Sequence, residues 1–288
     1  MKRAVRTVCA ALICVAAILF AWEAVSGGVT QEIDGKCEFH FIDVGQGDCS
    51  MFITDDAAVV VDAGTSESSA SLAAYISGYT DTLDYLILTH PHEDHIGGAA
   101  AIINTVDVKC VLLTDASSDT YTFTRLLDAV EDKEIAVKQA VAGDSMSAGD
   151  INITVLAPLG EFDNYNNYSM VVRIDYGNVS ALVTGDAEKA SENLMLEKWG
   201  KKELSADVLK LAHHGSSTST GKRFLGAVSP SWAVISCGED NSYGHPHRET
   251  LALLDDFGIP YVRTDKTGTA VFSTDGKSIA LKDGADTQ

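Results

Sequence analysis

The run Thr89-His-Pro-His-Glu-Asp-His95 sets three imidazoles and a carboxylate within six residues. Zinc takes nitrogen and oxygen donors of these types, and manganese accepts the oxygen-rich versions. His90 and His92 stand two apart, and in an extended or tightly turned segment their rings converge on one ion. Asp94 and His95 step off in the next direction and suit a second ion close by, the arrangement used by two-metal hydrolases. The chemistry implied is metal-dependent hydrolysis.

The flanking residues say how such a run is held. Residues 83–88 form a short apolar stretch of strand type, and residues 96–103 read as a helix start, which sets the donors on a loop at a strand's C-terminal edge. Three later places offer more donors. Thr184-Gly-Asp-Ala187 follows an apolar strand, so Asp186 can bridge two cations or simply cap the next helix. Leu209-Lys-Leu-Ala-His-His-Gly215 also ends a strand in imidazoles. Because adjacent side chains diverge, His214 is expected on the metal and His213 behind it or toward substrate. In Gly244-His-Pro-His247, either His245 or His247 is a candidate to touch substrate oxygens or protonate a leaving group, unless both are plain loop histidines.

A chain of 288 residues, 45% hydrophobic, can bury a large core, and no internal sequence repeat divides it. The first 26 residues differ: Lys2, Arg3 and Arg6 precede an apolar stretch over residues 8–22, which is the pattern of a signal peptide or an N-terminal membrane anchor. Export is therefore expected, to the cell exterior or to an outward-facing membrane position, with cleavage near Ser26 and retention both open. Residues 27–36 read as a linker and residues 37–288 as one hydrolase domain. Of the 21 basic and 41 acidic residues, three and one lie in the first 26, so the remainder carries a formal charge of −22. Such a body does not attract polyanions through its overall field, and nucleic-acid binding would have to rest on bound metal and local contacts. Cys37, Cys49, Cys110 and Cys237 contain no Cys-x-x-Cys pair and read by default as buried free thiols, with one or two disulfides open in an oxidising compartment.

Alternating or continuous apolar runs predict strands at residues 37–43, 50–54, 57–62, 85–88 and 109–113, then at 151–157, 170–176, 179–184, 208–212, 232–236, 259–262 and 269–273. Helical periodicity covers residues 66–77, 96–104, 119–131, 187–198, 224–228 and 249–257. Two mixed sheets covered by helices is the α/β (α+β) architecture these elements suggest.

At this point the chain resembles a known family. A strand ending Val-Val-Asp62-Ala-Gly, the His-x-His-x-Asp-His run, Thr-Gly-Asp186 and a last strand-end histidine occur in the order seen in the metallo-β-lactamase-fold superfamily. Phe41-Ile-Asp-Val-Gly-Gln-Gly-Asp48, Asn166-Asn-Tyr-Ser169, Leu209-Lys-Leu-Ala-His-His-Gly-Ser216 and Tyr243-Gly-His-Pro-His247 are similar to the soluble domain of the ComEC group of DNA-uptake competence proteins. The resemblance spans nearly all of residues 37–281. It implies an αββα sandwich with two divalent ions, Zn²⁺ or Mn²⁺, along one edge. It also implies that Asp94 doubles as ligand and water-orienting base, and that Asp62 braces the ligand loop. Gly45-Gln46-Gly47 would bring backbone N–H groups to substrate. One departure stands out: no histidine lies between His95 and Asp186, where most members supply a third imidazole to the first ion. Asn167 or Ser169 is the expected substitute, reaching the metal or holding a water on it, and the oxygen-rich set favours manganese.

Four functions follow as expectations. A phosphodiesterase acting on DNA or another phosphoester leads. The alternatives are a β-lactam or lactone hydrolase, a phosphorylcholine or teichoic-acid esterase, and a non-catalytic metal-binding module. No protein partner is inferable, and an uncleaved N-terminal segment would make the membrane one.

Overall fold

In the computed structural model the described residues are Gln31 and 36–282. The signal or anchor segment, and the linker up to residue 35 apart from Gln31, lie outside them. Residues 36–282 lie in one compact unit.

Its frame is two facing sheets. Strands β1 (Cys37–Phe41), β2 (Ser50–Ile53) and β3 (Ala58–Val61) make an antiparallel meander. Beyond a two-residue strand, β4 (Thr82–Leu83), the parallel strand β5 (Tyr85–Ile87) joins β3. A second two-residue strand, β6 (Asp107–Val108), pairs with β4, and β7 (Cys110–Leu113) and β8 (Ala136–Gln139) extend the parallel run. The second sheet starts antiparallel with β9 (Ser145–Ala148), β10 (Ile151–Ala157), β11 (Val171–Tyr176) and β12 (Val179–Val183). It ends parallel with β13 (Val208–Lys210), β14 (Trp232–Ile235) and β15 (Tyr261–Arg263). The chain then returns to the first sheet, where β16 (Ala270–Thr274) and β17 (Ile279–Leu281) pair outside β1.

Period-two alternation explains the layering. On β1, Cys37, Phe39 and Phe41 point at the second sheet and meet Ile153, Val172 and Ile174 in the central core. Edge-to-face contacts of Phe41 with Phe52 and Phe272, at 6.3 and 6.0 Å, fix that layer. Each such buried phenylalanine contributes about 1.5–3 kcal/mol. The outer face of the first sheet is covered by helices Ser69–Ser77, Ala99–Thr105 and Tyr121–Asp132 through Leu72, Ile102 and Leu126. Helices Lys189–Lys198, Lys222–Val228 and Arg248–Phe257 cover the second sheet through Met195, Phe224 and Leu254. The architecture is the αββα sandwich.

Each sheet runs antiparallel and then parallel, a repeat of topology that no repeat of sequence announces. The consequence is chemical. The C-terminal ends of β3, β5, β12, β13 and β14 lie where open α/β sheets bind ligands, and the loops that leave them carry the donor residues.

Candidate metal centre

The loop after β5 delivers His90, His92, Asp94 and His95. Asp62, at the end of β3, anchors it: Thr89 donates its N–H and its hydroxyl to the two Asp62 oxygens at 2.8 Å each. His95 Nδ1 lies 2.7 Å from Asp62 Oδ2, which keeps the proton on Nδ1 and turns Nε2 inward. His92 stands at the N-cap position of the short helix Glu93–Ile96, and that turn brings Asp94 and His95 round toward His214 while the His95 ring stays 4.2 Å from that of His90.

Asp186 follows β12 through Thr184 and Gly185. Gly185 sits at φ +49°, and a Cβ there would come within 2.8 Å of the Thr89 hydroxyl. Glycine thus lets the Asp186 loop close onto the histidine loop. His213 and His214 follow β13 in a tight turn with both residues in the left-handed region, at φ 52° and 54°. The turn separates their rings, whose planes stand 70° apart. His214 faces Asp94, Nε2 to Oδ2 at 3.2 Å, while His213 Nε2 lies 3.7 Å from Asp186 Oδ2.

Among the described residues two donor groups share no member: His90, His92 and Asp186 form one; Asp94, His95 and His214 form the other, and Asp48, His95 and Asp186 make a third set that overlaps them. Asp186 belongs to both neighbourhoods: Oδ2 is 3.8 Å from His90 Nε2, and Oδ1 is 3.2 Å from His95 Nε2 and 3.7 Å from His214 Nε2. His95 Nε2 and Asp186 Oδ1 are buried and make no hydrogen bond of ordinary geometry. Orphaned donors of this kind, nitrogen and oxygen converging, fit divalent cations. Electrostatics agrees. Burial opposes charge on His95, yet Asp186, Asp62 and Asp94 outweigh it and hold the imidazole well above its usual range. His214 is likewise pushed up to about 10, with Asp186 and Asp48 overcoming burial. Asp186 itself is held well below the carboxylate range, since His95 and His214 outweigh its burial. The His95 and His214 side, which draws protons so strongly, draws cations too, whereas burial holds His90 and His92 below the usual imidazole range.

An open cleft of about 320 Å³ reaches this cluster, lined among others by Gln46, His92, Asp94, Asn166, His213 and His245. Gln46 is tied down, its Oε1 accepting the Gly238 N–H at 3.0 Å. Three expectations change. Asn167 does not face the metal: its Oδ1 accepts the N–H groups of Glu188 and Ser191, and its Nδ2 donates to Asn164 Oδ1, so it is consumed in starting a helix. Ser169 acts from behind, accepting the Asp186 N–H at 2.9 Å and lying 3.3 Å from His90 Nδ1. His247 stands outside the cleft lining, because Ser217 N–H donates to its Nδ1 and its Nε2 meets the Tyr243 carbonyl at 3.3 Å.

Sequence reasoning missed Asn166, whose buried Oδ1 has no hydrogen-bond partner and which lines the cleft beside His92 and Asp186. It missed two exposed rings as well. Tyr243 is stacked on His245 at 5.6 Å, and Tyr165 meets His92 edge-on at 5.7 Å. Their position next to histidine motifs was the available signal. The four cysteines are free thiols, three buried and Cys110 half-buried.

Residues 42–239 match the metallo-beta-lactamase superfamily. The chain belongs to that superfamily. Among curated relatives, ComE operon protein 3 of Bacillus subtilis strain 168 is 33% identical over 82% of this chain. Competence protein ComA of Neisseria gonorrhoeae is 41% identical over 37% of it. The chain spans only 33% of the former's length and 15% of the latter's. Among solved structures, the metallo hydrolase Igni18 of the archaeon Ignicoccus hospitalis KIN4/I superposes with a TM-score of 0.52 at 16% identity, covering 82% of this chain and 99% of that one. The fold and the curated relatives thus agree: the chain carries the metallo-beta-lactamase fold and is similar in sequence to part of the competence proteins named. No described helix is long and apolar enough to cross a membrane.

Proposed function

We propose that the protein is an exported two-metal phosphodiesterase. The observation that carries this reading is Asp186, one carboxylate facing histidines of both donor groups across 3.2 to 3.8 Å. Two divalent cations held there supply an acidified water and offset charge gathering on a phosphoryl centre. The chain's own residues do the rest. Asp94, with its carboxylate held below the ordinary range by His95 and His214 against burial, stays ionised and is available to orient a water. His245 is lowered to about 4 by burial and then by the neighbouring imidazoles, so it is neutral at pH 7. It serves substrate oxygens as a hydrogen-bond partner rather than as a charged acid.

Phosphoester chemistry is supported by the competence relatives and by the two tyrosines, whose ring faces suit the stacking of bases. The charge of −22 limits contact with a polyanion to the few units that enter the cleft. A second reading, a phosphorylcholine or teichoic-acid ester, is favoured by one observation. Gln46 is shared between the cleft and an adjoining hollow bearing Asp43, Glu67, Glu239 and Asp265, an environment suited to a cationic substituent. Export rests on the basic and apolar pattern of the first 26 residues.

The test is hydrolysis of bis-p-nitrophenyl phosphate by metal-stripped protein titrated with Mn²⁺ or Zn²⁺, beside the Asp94→Asn and His214→Ala variants. Metal-restored turnover, lost in both variants, is expected. Turnover of nitrocefin without turnover of the phosphodiester overturns the reading in favour of carbonyl hydrolysis.

A further inference from the structure

Asp48 and Lys210 form a buried ion pair that the chemistry above does not use. Asp48 ends the Gly45-Gln-Gly-Asp48 turn, and Lys210 is the last residue of β13. Lys210 Nζ lies 2.6 Å from Asp48 Oδ2 and donates to the Leu211 carbonyl at 2.8 Å. Lys210 is wholly buried and Asp48 is 2% exposed. Burying two charges forfeits their hydration, a cost that an apolar pair of similar size avoids, so stability alone is a weak reason for the pair.

Its surroundings supply a better one. The second Asp48 oxygen, Oδ1, has no hydrogen-bond partner of ordinary geometry and lies 3.3 Å from His214 Nδ1. That nitrogen also faces the Ser236 carbonyl at 3.0 Å. Two acceptors, one of them charged, keep the proton on Nδ1 and leave Nε2 to face Asp94. The backbone of the pair reaches the other donor loops. Asp48 N–H donates to the Asp94 carbonyl at 3.0 Å, and the Lys210 carbonyl accepts the Thr184 hydroxyl at 2.6 Å, two residues before Asp186. A donor atom of Asp48 also lies within 4.8 Å of donors on His95 and Asp186. An unanchored Asp48 would therefore be free to take a place at the cations itself.

We propose that Asp48 and Lys210 are positioning residues for the His214 side of the centre. Lys210 pins one Asp48 oxygen, and the other, beside the Ser236 carbonyl that Nδ1 also faces, supplies the charge that helps hold the tautomer and orientation of His214. The inference rests on the two-cation reading of the site. It is tested by titrating metal-stripped protein with Mn²⁺ against a chromophoric chelator, which counts sites and affinities without any substrate. The doubly apolar variant Asp48→Leu/Lys210→Met removes both charges together, and Asp48→Asn keeps the shape and decides the matter if the double variant does not fold. In folded variants one of two sites is expected to weaken by about 10- to 100-fold while the other is retained. Unchanged affinities at both sites, or equal losses at both, overturn the proposal while leaving the dinuclear reading intact. A wild-type protein that binds fewer than two cations removes the reading, and the proposal with it.

Discussion

Glu192 offers a prediction that can be worked from the structure. It lies in helix Lys189–Lys198, 2% exposed, and its carboxylate accepts the N–H groups of Thr220 and Gly221. It thereby pins the loop that follows His213 and His214. Burial raises its pKa from 4.5 to about 7, with the two backbone donors and Lys189 offsetting only part of the effect. A folded-state pKa above the unfolded one means that the folded protein binds the extra proton. The associated stability is fully present below pH 4.5 and is lost as pH rises through about 7. The whole shift corresponds to about 3 kcal/mol, of which about 2 kcal/mol falls between pH 5.5 and 8.5. Glu192→Gln cannot ionise. Urea unfolding of metal-free wild-type and Glu192→Gln protein across that window should give curves that converge or cross, the wild type losing about 2 kcal/mol relative to the variant toward high pH. Parallel curves would refute the reasoning, because every other titrating group is common to both proteins.

Four further outcomes are expected. Gly47→Ala puts a Cβ 2.5 Å from the Asp94 carbonyl oxygen, so thermal melts should show a loss of about 1–3 kcal/mol, and an unchanged melt would mean the turn yields freely. Tyr243→Ala should raise KM for a thymidylate oligomer by about tenfold while sparing methyl p-nitrophenyl phosphate, and equal effects on the two would remove the stacking role. His245→Ala should cut kcat by about 100-fold. His247→Ala should keep kcat and lower the melting temperature, since its nitrogens hold Ser217 and Tyr243.

How much of this was legible depended on whether the signal was local. The alternation over residues 151–157 marks β10 to the residue, because one face of that strand packs in the central core. Strand β8 escaped notice: all four of its residues are exposed, so no burial pattern is imprinted on Ala136–Gln139. The short strands β9 and β17 bury too little for a period to emerge. The histidine run was legible since its donors lie within six residues. The link between Asp48 and Lys210 joins positions 162 apart and exists only once the sheets have met, although a lysine inside the apolar run Val208-Leu-Lys-Leu211 is a local hint. Asn167 and His247 could not be assigned from spacing, because what decided them was which backbone groups happened to need a partner.

Each donor group draws from both halves of the chain: His90 and His92 meet Asp186, and Asp94 and His95 meet His214. A cation bound there is a clasp between the two sheets, added to their apolar core and to cross-links such as Lys210 to Asp48 and Gly238 to Gln46. Releasing the ion and letting the sheets part are then linked equilibria, and cation at one hundred times its dissociation constant adds about 2.7 kcal/mol to the closed form. Wherever opening is followed by irreversible loss of the chain, the local supply of metal would set how long each molecule lasts as well as how fast it works.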